Sequence, residues 1–156
     1  MKYLIVCLLL LTGCAKKITW PASVNFESLN NLEVEAITNS LKDLSTNSKK
    51  ELFYFEDKSN SFKITVTKMA NDNKHLGMAS VTEETCLVQL NEIVFEESYS
   101  SYFVPVLYHE VGHCAGMMHD PTEGEIMYYI GSPIDFYTQD AFQRFFNQLV
   151  DFVNKH

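Results

Sequence analysis

A chain of 156 residues with 46% apolar and 21% charged side chains is long and apolar enough to bury one core, which excludes a mainly disordered or solvating polypeptide. Its formal charge is -8, and Arg144 is its only arginine, so no basic stripe for nucleic acid or anionic lipid headgroups is available. There are no internal repeats, no low-complexity tract and no sign of a second domain.

At the N-terminus, Lys2 precedes an apolar run from Tyr3 to Leu11, too short to span a bilayer and laid out like a secretory signal. The run ends in Leu11-Thr12-Gly13-Cys14, which resembles the bacterial lipobox. That resemblance implies cleavage before Cys14, which becomes the lipid-carrying N-terminus, and residence in a bacterial cell envelope. Residues 1–13 are then a lipoprotein signal peptide, 14–25 a lipidated N-terminus and tether, and 26–156 a single domain. Ala15 in place of Asp favours the outer membrane under the enterobacterial sorting scheme. Membrane attachment then comes from the lipid alone, because the processed chain carries 11 basic and 20 acidic side chains, a charge of -9. Cys7 leaves with the signal, and the two remaining thiols, Cys86 and Cys114, either pair as a disulfide in an oxidising compartment or are buried as small hydrophobes.

Along the processed chain, Ile18-Thr19-Trp20-Pro21 is the one stretch of the tether with strand character. Leu29, Leu32, Ala36, Ile37, Leu41 and Leu44 recur at helical spacing, which predicts an amphipathic helix over Leu29 to Leu44. Leu52 to Glu56 and Phe62 to Met69 read as strands, the second alternating Phe62, Ile64 and Val66 with polar residues. Leu76 to Val81 and Cys86 to Leu90, joined by Thr82-Glu83-Glu84-Thr85, read as a hairpin. A helix is expected from about Phe103 with Pro105 in its first turn, and a last one after Thr138 as N-cap, with Phe142, Phe145, Phe146, Leu149 and Val153 on one face.

The chemistry is concentrated in His109-Glu110-Val111-Gly112-His113-Cys114-Ala115-Gly116-Met117-Met118-His119-Asp120. Four residues apart on a helix, His109 and His113 project from one face and can share a metal ion. Gly116 is the residue type that most cheaply takes a left-handed backbone, so the helix stops there and the turn delivers His119. Three imidazoles suit a catalytic Zn2+ with one position left for water, whereas structural zinc is closed by four protein ligands. Glu110, beside the first histidine, fits a general base for that water. Asp120 can accept a hydrogen bond behind a metal ligand, cap or turn the chain, or pair with the processed N-terminus, and a structural role is favoured because three histidines already complete the protein side of the coordination. His75 and His156 are isolated in sequence and are expected to be solvated bystanders.

This pattern, H-E-x-x-H-x-x-G-x-x-H followed eight residues later by the methionine of Glu125-Ile126-Met127-Tyr128-Tyr129, resembles the metzincin clan of zinc endopeptidases. The likeness is to a small bacterial lipoprotein form, matrixin- or adamalysin-like: the Asp after the third histidine is similar to adamalysins and to some small bacterial members, and the subfamily stays open. The resemblance covers most of Leu29 to Asn154. It implies an α+β zincin fold: a twisted, mostly parallel sheet with an antiparallel edge strand, an active-site helix, a Met-turn at Met127 and a C-terminal helix. It also implies a monomeric peptidase in which Glu110 is the general base, an extended peptide pairs with the edge strand near Leu76 to Val81, and the pocket is walled by the metal helix and residues 130–136. Tyr129, two residues after Met127, matches a tyrosine that in astacins and serralysins reaches the zinc, and so is a candidate oxyanion donor. A non-catalytic zinc-binding envelope lipoprotein is the alternative reading, although a metal store has no need of Glu110.

Overall fold

A computed structural model of the chain describes residues 19–59, 61–71, 75–128 and 137–155. Cys14, Tyr129, His156 and the expected pocket wall at 130–136 lie outside the described residues. The described chain is α+β, with a five-stranded mixed sheet and three helices. In chain order these are β1 (Ala22–Glu27), α1 (Asn31–Asn47), β2 (Phe53–Tyr54), β3 (Lys63–Met69), β4 (Gly77–Val81), β5 (Thr85–Asn91), α2 (Ser100–Cys114) and α3 (Gln139–Lys155). The sheet order is β2-β1-β3-β5-β4, with β4 antiparallel to β5 and every other pair parallel. Among these elements no helix is long and apolar enough to cross a membrane.

The first strand corrects the sequence reading. Residues 22–25, expected in the tether, belong to β1, which lies inside the sheet between β2 and β3. Ala22, Ser23 and Val24 are all buried. Covered on both faces, such a strand needs no alternation of apolar and polar side chains, and Ser23 breaks the apolar pattern further. Its hydroxyl is satisfied internally, accepting from the Lys58 N–H at 3.0 Å and hydrogen bonding with the Ser61 hydroxyl.

Asn30 and Glu33 close a reciprocal capping box at the start of α1. The Asn30 side chain accepts from the Glu33 N–H at 3.0 Å, and the Glu33 carboxylate accepts from the Asn30 N–H at 2.8 Å. Ile37, Leu41 and Leu44 form the buried stripe, whereas Leu32 is 77% exposed. Five residues before Ile37, Leu32 is turned about 140° around a 3.6-residue helix, so it stands off the apolar face with which it was grouped. The β4–β5 hairpin forms as expected, with Val81 opposite Cys86 and the Thr82 N–H donating to Thr85 O at 2.8 Å.

Two 3-10 turns, Glu92–Phe95 and Glu97–Tyr99, lead into α2, which begins three residues earlier than predicted. Pro105 therefore lies beyond the first turn. The carbonyl that loses its helical donor there, on Ser101, belongs to an exposed residue. Deeper in α2, Tyr108 joins the three helices: its hydroxyl donates to Ser40 O in α1 at 2.9 Å, and its ring stacks on Phe145 of α3 with centroids 5.9 Å apart. Thr138 caps α3 by accepting from the Ala141 N–H at 3.3 Å, and Phe145, Phe146, Leu149 and Val153 are buried.

Cys86 of β5 and Cys114, the last residue of α2, form a disulfide with Cα atoms 5.6 Å apart. A link across a sequence separation of 28 removes unfolded-state entropy worth about 3–4 kcal/mol in the chain-entropy account. It ties the end of the helix carrying His109 and His113 to the sheet.

Candidate metal centre

The last turns of α2 carry His109, Glu110 and His113, and the chain then reverses through a Schellman turn. The Met117 N–H donates to Gly112 O at 2.9 Å and the Gly116 N–H to His113 O at 2.9 Å, with Gly116 at φ +90°. This reversal swings His119 back over the helix end. The Nε2 atoms of His113 and His109 are 3.1 Å apart, as are those of His113 and His119. All three donor atoms lie within 4.8 Å of one another.

The outer ring nitrogens fix the chemistry of the inner ones. His109 Nδ1–H donates to Ile126 O at 2.7 Å, and His113 Nδ1–H donates to Met117 O at 3.0 Å. With the protons held on Nδ1, the Nε2 atoms of these two rings are bare lone pairs. Burial also favours the neutral ring, lowering His109 to about 4 against the partial opposition of its bond to Ile126, and lowering His113 as well. Lone pairs brought this close repel unless a cation lies among them. Tetrahedral zinc at its usual distance from imidazole nitrogen spaces its ligands about 3.3 Å apart, close to what is found here. The donor set therefore fits such an ion.

Glu110 is 6% exposed, and among the described residues its carboxylate has no hydrogen-bond or ion-pair partner. Burial pushes its carboxyl up to about 7. A largely buried carboxyl without a partner among the described residues makes Glu110 a candidate functional group.

Met127 is buried beneath the site, and a Cβ on Gly112 would stand 2.5 Å from its sulfur and 3.2 Å from Cε2 of Phe145. Gly112 is not at positive φ, so space and not backbone freedom requires it. Gly112→Ala is expected to cost about 1–3 kcal/mol by overpacking, read as a lower urea midpoint at unchanged m-value. The loop before Met127 is fastened at several points. The Asp120 N–H donates to Met127 O at 2.8 Å, the Asp120 carboxylate accepts from the Thr122 N–H at 2.7 Å, and Glu125 pairs with Arg144 of α3 at 2.7 Å. Asp120 is thus a turn residue.

Of the residues singled out in the sequence, the structure brings together His109, Glu110, His113, His119 and Met127. Exposed His75 stands outside the cluster. Sequence reasoning missed Gly77, Gly112 and the carbonyls of Met117 and Ile126. A glycine at the start of a strand is a signal of close approach and points to Gly77, but backbone acceptors leave no trace in side-chain identity. No protein-family model matches the chain, no curated protein matches it, and no solved structure matches it.

Proposed function

We propose that the domain is a zinc-dependent endopeptidase of the metzincin kind, with His109, His113 and His119 as ligands and Glu110 as general base. The observation that carries this reading is a largely buried carboxylate, without a partner among the described residues, next in sequence to one of three converging imidazoles. Bound zinc supplies Lewis acidity toward water and the scissile carbonyl. Glu110 removes a proton from the attacking water as the new C–O bond forms. It then returns that proton to the departing amine nitrogen as the C–N bond breaks. Edge strand β4, packed beside α2, offers backbone groups to an extended peptide, which binds substrate with little demand on its sequence. The mixed sheet, metal helix, buried Met127 and closing helix α3 occur in the order expected of a metzincin.

The test is cleavage-site mapping on a peptide library with the domain from Ala15 onward, alongside its zinc content. One zinc per chain and hydrolysis abolished by a chelator and restored by zinc are expected. One zinc per chain without hydrolysis of any peptide would instead favour a non-catalytic zinc protein.

The same reading places the protein at a bacterial cell envelope, anchored through Cys14, and the disulfide supports an oxidising compartment. Expressed in a bacterium fed labelled palmitate, wild-type protein should take up label and Cys14→Ser should take up none. Equal labelling of both would refute the lipid anchor.

A further inference from the structure

We infer that Gly77, the first residue of β4, is a positioning residue for Glu110, an inference that rests on the peptidase reading. A Cβ at this position would lie 2.7 Å from Glu110 Oε1, 2.9 Å from Glu110 Cγ and 2.8 Å from Val106 Cγ1. All three are closer than real Cβ contacts come, so something must shift. The only positive-φ glycines among the described residues are Gly116 and Gly124, so backbone conformation does not call for glycine at 77. What calls for it is the volume taken by the carboxylate. Gly77 is also fixed in place, because it pairs with Leu90 in the antiparallel ladder and β4 packs on α2. A methyl group here cannot swing away with the strand. Two of the three atoms it meets, Oε1 and Cγ, belong to Glu110, so the whole Glu110 side chain must shift, together with the Val106 methyl group.

The direction of the effect follows. Gly77 and α2 together hold the carboxylate in a slot between strand and helix, and filling the slot drives Oε1 out of the place from which it serves the water. Misplacing a reacting group by about 1 Å costs on the order of 10²-fold in rate, while the three histidines still hold the metal and the β4 backbone, whose pairing with Leu90 a methyl group leaves in place, still offers its groups to substrate.

The experiment compares Gly77→Ala, Val106→Ala and the double variant in the zinc-loaded domain, with kcat, KM and zinc content measured on a peptide cleaved by wild type. Gly77→Ala should lower kcat by about 10²-fold with KM within about threefold and zinc retained. Val106→Ala removes the neighbouring methyl groups and is the reference for the double variant, which should remain about 10²-fold below it in kcat. If the double variant recovered the activity of Val106→Ala, crowding of Val106 would be the cause and the positioning role would be overturned. A readout independent of turnover is the visible spectrum of the cobalt-substituted domain. Gly77→Ala should change it, and the change should vanish in a Glu110→Ala background. Should wild type cleave no peptide, the peptidase reading fails and this spectrum alone decides: no change on Gly77→Ala overturns the inference. If Gly77→Ala does not fold, the double variant, relieved on the Val106 side, carries the same comparisons.

Discussion

Glu110→Ala is expected to keep its zinc and its fold and to lose about 10²–10⁴-fold in kcat, the scale of removing a general base. Retention of the metal follows from the site, because the three Nε2 atoms approach one another without involving the carboxylate. Stability should be unchanged or slightly higher, since the substitution removes a buried carboxyl that no described group stabilises. The measurement is kcat and KM on one cleaved peptide, with zinc content by elemental analysis and unfolding by urea. Glu110→Gln, close in shape but unable to accept the proton, should match the alanine variant. Near wild-type turnover in either would remove Glu110 from the mechanism.

His113→Ala should empty the site. Its Nε2 is 3.1 Å from the Nε2 of both other histidines, so it is the hub of the cluster. Loss of outer partners of metal ligands costs about 10–100-fold in affinity, and loss of a direct donor costs more, at least about 10³-fold here. The variant should therefore hold no zinc at micromolar free metal. It should also melt lower than loaded wild type, because zinc at 100 times its Kd contributes about 2.7 kcal/mol to the folded state. His75→Ala, outside the cluster, is the control. Full zinc occupancy in His113→Ala would refute the three-histidine site.

How much of this was legible in the sequence depended on what each feature is made of. The metal residues sit at fixed offsets on one helix and one turn, and periodicity with a single glycine suffices to bring them together. The β4–β5 hairpin and the Thr138 cap are equally local, written in a polar turn and a hydroxyl. Strand β1 was hidden because a strand buried on both faces shows no alternation, and because Ser23 finds its partners in the distant loop at Lys58 and Ser61. Leu32 fits loose helical spacing in the sequence, but its angle around the axis takes it off the buried stripe. The disulfide was left open since spacing does not reveal that β5 passes the end of α2. Gly77 and Gly112 were missed for a related reason: each answers to a side chain, Glu110 or Met127, whose approach only the tertiary fold determines.

The two carbonyls that orient the metal histidines belong to one loop. Met117 O holds His113 near its start and Ile126 O holds His109 near its end, while Asp120, Met127 and Arg144 keep it closed. Ring orientation and loop order are therefore one equilibrium seen from two sides. By reciprocity, whatever free energy the ordered loop lends to the metal, the metal returns to the loop. If the three histidines hold zinc as proposed, a substitution as far away as Arg144, in the last helix, is expected to act on metal affinity without touching a ligand. On the proposed zinc site, amide exchange across residues 117–127 is the expected gauge of occupancy, slowing as zinc is added and quickening as it is withdrawn.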